Sequence, residues 1–331
     1  MTTTSVSATS PSPLQQFVPA VEWMVIEPLI EEIQDLKKDR KAVVLAHNYQ
    51  VPTIYRGVAD FTGDSLALAR QAVASEAEVI VMAGVYFMAE TAKILNPSRT
   101  VLIPSLQAGC SLADSITAED VRSLRRTYPG VPVVSYVNTS AAVKAETDVC
   151  CTSANALQVV ESLGVPRVIF LPDRYLGRNV AAQTEVELIL WEGVCEVHEH
   201  FTPEQIRGLR SDYAGIKIVA HPECTPEVLA EADFSGSTSG MIDYVARNQP
   251  QRVALITECS MSDNVAADFP DVQFVRPCNL CPYMKRITLE GIRDALLQRQ
   301  YVVEVDADIA RRARSAVERM LAVGRAEQRA A

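Results

Sequence analysis

Three cysteines recur at one position of an internal repeat, and that recurrence constrains the chain more than any other feature. Cys110, Cys195 and Cys281 lie 85 and 86 residues apart. Seven residues after each stands a threonine that opens a similar segment: Thr117-Ala-Glu-Asp-Val-Arg, Thr202-Pro-Glu-Gln-Ile-Arg and Thr288-Leu-Glu-Gly-Ile-Arg. A triplicated unit with one thiol per copy can bring three thiolates to a common axis. Three is one short of a closed tetrahedral site, so the pattern poses an open metal or cluster site.

The chain also repeats itself upstream of each cysteine. A short β-rich run opens each copy, at residues 41–46, 131–136 and 216–221. A turn and a helical stretch follow, carrying Ser65, Ser153 and Thr238. Second strands are expected at 78–82, 167–171 and 252–256, and third strands near 100–103, 187–190 and 271–275. Strands that alternate with helical patterns predict βαβ units, with parallel sheets flanked by helices. Thr202 with Gln205 forms a capping box, and Pro203 suits the first helical position. The fold class is α/β, with three small domains packed as one body. The repeats run 21–115, 116–200 and 201–286. The first carries an N-terminal helix at 25–38, with Leu29, Ile30, Ile33 and Leu36 on one face. Residues 1–20 read as a disordered tail rich in Ser, Thr and Pro. Residues 287–331 read as C-terminal helices that pack back on the body, including one at 307–327.

The totals narrow the function classes. The 331 residues are 48% apolar and 22% charged, as in an ordinary soluble protein of two or three domains. The longest apolar runs, such as 79–83, are strand-length and far short of a membrane span. A formal net charge of −10 argues against sequence-independent nucleic-acid binding. It leaves room for a small anionic substrate, because a local pocket can be positive on an acidic protein. Eight cysteines without a signal peptide predict a reducing, cytoplasmic setting, in which thiols are structural, metal-binding or catalytic.

Ligands of parallel α/β sheets bind beyond the carboxyl ends of the strands. The first strand of each copy runs into His47-Asn-Tyr-Gln, Tyr136-Val-Asn-Thr and His221-Pro-Glu-Cys. These are hydrogen-bonding and proton-transfer groups rather than packing groups. A single hydroxyl such as Ser65, Ser153 or Thr238 at a helix start is commonly just a cap. Three at matching positions, beside polar strand ends, predict a pocket for a phosphate or carboxylates. Cys150, Cys151, Cys224, Cys259 and Cys278 read as small buried hydrophobes. Cys278-Asn-Leu-Cys281 is compatible with half a zinc site, a redox pair or iron–sulfur ligation. No second C-x-x-C is present, which weakens structural zinc. Glycines just before Cys110 and Cys195 suit a close backbone approach to a cluster.

Several stretches, in order and spacing, resemble the quinolinate synthase A family of iron–sulfur type. They are Ala46-His-Asn-Tyr-Gln, Gly63-Asp-Ser-Leu, Phe87-Met-Ala-Glu-Thr-Ala-Lys, Ser135-Tyr-Val-Asn-Thr, Val197-His-Glu, His221-Pro-Glu-Cys and Gly236-Ser-Thr-Ser-Gly-Met. The resemblance implies a pseudo-threefold arrangement of the three domains around a central 4Fe–4S cluster, with Cys110, Cys195 and Cys281 as its ligands. It implies condensation of iminoaspartate with dihydroxyacetone phosphate to quinolinate, phosphate and water, in de novo NAD biosynthesis. His47, Ser65, Tyr136, Asn138, Ser153, His221, Glu223 and Thr238 would hold the substrates. Tyr49 and Glu223 would be the acid/base pair. Some members carry C-x-x-C-x-x-C near the third ligand; here Val275 takes the first position. Cys281 is then the expected ligand, and Cys278 could form a regulatory disulfide with it. Transient contact with an aspartate oxidase as iminoaspartate supplier is implied too, although no interface signature is visible. Competing readings are an isoprenoid diphosphate reductase with three cysteines, a non-catalytic cluster-based sensor of iron or oxygen, and a zinc-stabilised binding protein.

Overall fold

The structure, a computed structural model, describes residues 14, 15 and 18–323. Three four-stranded parallel sheets follow one another along the chain. The first holds β1 (Ala42–His47), β2 (Phe61–Gly63), β3 (Val79–Ala83) and β4 (Thr100–Leu102). The second holds β5 (Val133–Tyr136), β6 (Val149–Cys151), β7 (Arg167–Leu171) and β8 (Glu187–Leu190). The third holds β9 (Lys217–Ala220), β10 (Phe234–Ser235), β11 (Arg252–Ile256) and β12 (Gln273–Val275). Their spatial orders are β2-β1-β3-β4, β6-β5-β7-β8 and β10-β9-β11-β12, one topology used three times in a pseudo-threefold arrangement. All strands of the central pair β1 and β3 are apolar but for His47, and β3 is buried throughout, as both faces carry helices.

This order defines a switch point. The chain leaves β1 toward one edge and β3 toward the other, so a crevice opens between their carboxyl ends. The same holds for β5 with β7 and for β9 with β11. The edge strands β2, β6 and β10 are not among the expected strands. They are two or three residues long, too short to carry a period-two pattern.

A polar device also repeats. Asp60, Asp148 and Asp233 each precede an edge strand and accept the backbone N–H of Val44, Val133 and Ile218 at 2.7, 2.7 and 2.8 Å. Each is paired at 2.8 Å with a cation from the helix that precedes the central strand: Lys37, Arg125 and Arg210. Those helices are Ala20–Arg40, Ala118–Thr127 and Pro203–Asp212. Thr117 and Thr202 form capping boxes with Asp120 and Gln205, and Thr288 accepts the N–H of Gly291.

The two ends depart from expectation. The N-terminal helix starts at Ala20, and Leu14 and Val18 are buried with Trp23. That part of the expected tail is therefore packed, because its apolar side chains have a helix face to cover. The rest of the tail, 1–13 with 16 and 17, lies outside the described residues. The C-terminal helix is Ala307–Ala322, and 324–327 also lie outside them. It docks on the second repeat through Asn155 Nδ2 to the Met320 carbonyl, and on the first through Arg314 to the Ile94 carbonyl. Among the described residues no helix is long and apolar enough to cross a membrane.

Leu45 is fully buried at the centre of the first sheet, whereas Val21 is 80% exposed. Leu45→Ala should lower the unfolding free energy by about 2–5 kcal/mol, and Val21→Ala by less than about 0.5. Urea titration followed by circular dichroism measures both.

Candidate active site and metal centre

The carboxyl ends of β1, β5 and β9 face one cavity. All twelve side chains expected at the site line it: His47, Tyr49, Ser65, Cys110, Tyr136, Asn138, Ser153, Cys195, His221, Glu223, Thr238 and Cys281. His47 and Tyr136 are the last residues of β1 and β5, and His221 directly follows β9. Gln50, by contrast, turns away to the Met284 carbonyl.

The three hydroxyls are not caps. Asp64 caps the helix Ser65–Ala74 by accepting the N–H of Ala67 at 2.9 Å. Ser237 caps the helix Thr238–Asn248, and Asn155 Oδ1 closes the turn that holds Ser153 by accepting the N–H of Thr152. A neighbour thus caps the helix in the first and third copies and closes the turn in the second. Ser153 Oγ lies 3.3 Å from His221 Nε2, and Thr238 Oγ1 accepts from Asn48 Nδ2 at 2.8 Å. Asn138 Oδ1 is buried without a hydrogen-bond partner.

Glu223, 3% exposed, anchors the polar network. The Tyr136 hydroxyl donates to its Oε1 at 2.5 Å, and His198 Nδ1 lies 2.8 Å from its Oε2. His198 Nε2 is 2.9 Å from Thr257 Oγ1, which is 2.6 Å from the Tyr49 hydroxyl. With Nδ1–H directed at the carboxylate, Nε2 accepts from Thr257, and Thr257 accepts from Tyr49. A continuous hydrogen-bonded chain therefore joins Tyr49 to Glu223. Burial acts to raise the Glu223 carboxyl, but the imidazoles of His198 and His221 and the bonds from His198 and Tyr136 outweigh it and hold it below the usual carboxylate range. Burial, then the Glu223 charge, pushes the Tyr49 and Tyr136 phenols well above their ordinary value. His198 and Thr257 are not among the site residues expected from the sequence. Thr257 directly follows β11 at the switch point, and His198 stands one helical turn after Cys195. The strand-end rule applied to β11, and the i, i+3 spacing, are the signals that find them.

The three thiols share one local geometry. Cys110 precedes the short helix Ser111–Asp114, Cys195 precedes Glu196–Glu199, and Cys281 precedes the 3₁₀ turn Met284–Arg286. Burial pushes the Cys110 thiol up to about 12, Cys195 well up and Cys281 up. Backbone N–H groups of Leu112 and Ala113, of His198, and of Tyr283 and Met284 point at the respective sulfurs and act in the opposite direction. Three half-buried thiols, each met by backbone N–H groups, fit thiolates of a metal or cluster site, whose sulfurs take such bonds. Cys195, His198 and Glu223 also offer ligand atoms within 4.8 Å of one another.

A family model described as Quinolinate synthetase A protein matches residues 31–322. Quinolinate synthase 2 of Mesorhizobium japonicum is 66% identical over 310 residues, covering 94% of this chain and 96% of that protein. The quinolinate synthase of Agrobacterium fabrum is 65% identical over 306 residues, covering 92% and 89%. That of Caulobacter vibrioides is 57% identical over 312 residues, covering 93% and 85%. The chain belongs to the quinolinate synthetase A family.

Two cysteine expectations need correction. Cys278 is disulfide-bonded to Cys259, not paired with Cys281. A backbone bridge between Glu258 and Asn279 brings those two segments together and leaves Cys281 facing the cavity. Cys150, Cys151 and Cys224 are buried free thiols, as expected of small hydrophobes, whereas Cys259 and Cys278 are not free. The close approach at Gly193 is also not to the cluster position. A Cβ there would lie 2.5 Å from Ser115 Oγ and 2.6 Å from the Pro172 carbonyl, so the glycine serves packing between the first and second repeats.

Burial pushes His47 down to about 4 and His221 to about 3. Unfolded imidazoles take up a proton near 6.5, so between about 6.5 and 4 the unfolded chain binds more protons. Stability of the metal-free protein should therefore fall as pH drops through that window. His221→Asn should flatten the slope, read from urea midpoints at successive pH values; an unchanged slope would mean that His221 is not held neutral.

Proposed function

We propose that this chain condenses iminoaspartate with dihydroxyacetone phosphate to quinolinate, releasing phosphate and water, as a cytoplasmic step of NAD biosynthesis. The observation that carries this reading is the convergence of three repeat-related thiols and three polar strand ends on one cavity. Cys110, Cys195 and Cys281 would hold a 4Fe–4S cluster, which when bound supplies Lewis acidity toward a substrate oxygen at its iron without a protein ligand.

The remaining chemistry belongs to the side chains. Among the described residues that line the cavity none is Lys or Arg. The carboxylates and the phosphate are therefore held by neutral donors: the His47 and His221 imidazoles, the Asn138 amide, and the Ser65, Ser153 and Thr238 hydroxyls. Tyr136 presents its hydroxyl to Glu223 and fixes the wall beside them. Tyr49 is the proton-transfer group that faces the substrate. It rests as a phenol, since its pKa is raised. When it takes a proton from substrate, its own proton moves to Thr257 as the Thr257 proton moves to His198 Nε2. The imidazolium so formed lies against the ionised Glu223, which stabilises it as the aspartate does in a hydrolase triad. The reverse sequence returns a proton to a departing hydroxyl. Iminoaspartate hydrolyses readily, so transient transfer from an aspartate oxidase is part of this reading.

A second reading, a zinc ion on Cys195, His198 and Glu223, rests on their 4.8 Å grouping. It competes with the bond between His198 and Glu223, which already uses those atoms. Anaerobic purification separates the two: about four irons per chain against one zinc. Quinolinate formation from the two substrates under anaerobic conditions tests the reaction itself.

Cys110→Ala, Cys195→Ala and Cys281→Ala should each abolish iron incorporation, while Cys150→Ala retains it. Iron retained by Cys281→Ala but lost by Cys278→Ala would reverse the choice within the C-x-x-C pair.

Glu223→Gln and Thr257→Val should keep the iron and lower kcat by roughly 10³-fold or more, the scale of losing a triad's buried carboxylate. Turnover at the wild-type rate in either variant would remove the relay from the mechanism.

A further inference from the structure

Behind the proposed site lies a second buried polar group that the mechanism leaves unused. Glu258 is fully buried and immediately follows Thr257. Its Oε2 accepts the N–H of Ser260 at 2.8 Å, and its carboxylate also takes the backbone N–H of Cys281. Lys285 Nζ lies 2.9 Å from Glu258 Oε1 and donates to Ser260 Oγ at 2.6 Å and to the Tyr49 carbonyl at 3.1 Å. The ammonium thus donates two hydrogen bonds and forms an ion pair with the buried carboxylate. Lys285 also belongs to the turn after Cys281, with its own N–H bonded to the Cys281 carbonyl at 3.2 Å. The flanking carbonyls of Asn48 and Gln50 are taken by Asn264 Nδ2 at 3.1 and 2.7 Å. Three consecutive carbonyls after β1 are thus gripped by side chains from the third repeat and the turn after Cys281.

We propose that Glu258 and Lys285 are positioning residues: a clasp that fixes the Tyr49 backbone and the Cys281 turn in one frame. The inference rests on the reading of Tyr49 as the proton-transfer group. Tyr49 is held at both ends by a single segment, its hydroxyl by Thr257 and its carbonyl, through Lys285, by Glu258 and Ser260. Only with both ends fixed does the phenol stay in line with Thr257 and His198. A buried ion pair seldom adds stability over apolar packing, and fixing a geometric register is its best-attested use. Removing one partner leaves the other charge unpaired and lowers global stability as well, so the clasp is read from the local placement of Tyr49 rather than from unfolding.

The test uses the full chain, loaded with iron under anaerobic conditions, in a double-mutant cycle. Lys285→Met should lower kcat by about 10- to 100-fold, as expected when a reacting group is misplaced by about 1 Å, with KM changed by less than about threefold. In the Tyr49→Phe background the same substitution should change kcat by less than about twofold. Lys285→Arg, which keeps charge and donors, should recover part of the loss. A second readout is free of activity: amide exchange of the metal-free protein should speed up across 47–51 in Lys285→Met and stay unchanged in β5. Should Lys285→Met not fold, Glu258→Gln takes its place in both arms. Equal loss of kcat in both Tyr49 backgrounds, or unchanged exchange across 47–51, overturns the clasp. Wild-type turnover by Tyr49→Phe would instead overturn the reading of Tyr49, and the exchange experiment alone would then decide the clasp.

Discussion

The Glu223 carboxylate is the interaction on which the site depends. It is an ion almost without solvent, and such a charge persists only when hydrogen-bonded on both oxygens. Its two donors, Tyr136 and His198, come from the second repeat, while Glu223 itself comes from the third. The packing of two repeats is therefore what keeps the group ionised. Removing one partner of a buried charged pair costs about 3–5 kcal/mol, so the repeats cannot drift apart without a large penalty. The same bonds fix the His198 tautomer, and the tautomer fixes the direction in which Thr257 and Tyr49 donate. One buried charge thus orders a chain of four side chains drawn from all three repeats.

The described residues that line the cavity include no lysine or arginine, which is consistent with the same charge. A cation beside Glu223 would pair with it and take an oxygen from His198. The relay would then lose the anion that stabilises its imidazolium. Neutral donors avoid that competition. In the proposed reaction their hold on anions would come from orientation, supplied by strand ends and helix starts. Burial keeps His47 and His221 neutral at ordinary pH, so each can serve as an oriented N–H donor without adding a charge.

Much of this was legible in the sequence because it lies on regular elements. The strands β1, β5 and β9 are apolar runs that end in His47, Tyr136 and His221, and the change from apolar to polar marks the carboxyl end. Cys110, Cys195 and Cys281 were legible through spacing alone. The strand-end rule and the i, i+3 spacing can mark Thr257 and His198 as candidates, but the roles not legible in the sequence depend on contacts between distant segments. Thr257 is an ordinary residue until β11 is placed beside β9. His198 gains its role only when Glu223, 25 residues on, comes within 2.8 Å. Cys278 pairs with Cys259 through a bridge that spacing within C-x-x-C does not reveal. The edge strands were missed because Phe234–Ser235 carries no period, although Asp233 before it marks the site in the same way as Asp60 and Asp148.

Those aspartates show how a small repeat tolerates a polar centre. Each satisfies a central-strand N–H that the short edge strand leaves open, and each is neutralised by a cation from the helix that precedes the central strand. The backbone of the amino halves of the central strands is thereby closed, away from the crevice. A similar division holds at the helix starts, where Asp64, Asn155 and Ser237 serve the backbone. Ser65, Ser153 and Thr238 are then free to face the cavity. Had these hydroxyls been the caps, the helix N–H groups would have consumed them. The cavity would have kept its shape and lost its donors. Functional capacity here comes from local polar bookkeeping done by neighbours, three times over, which leaves one hydroxyl, one strand end and one thiol per copy facing the cavity.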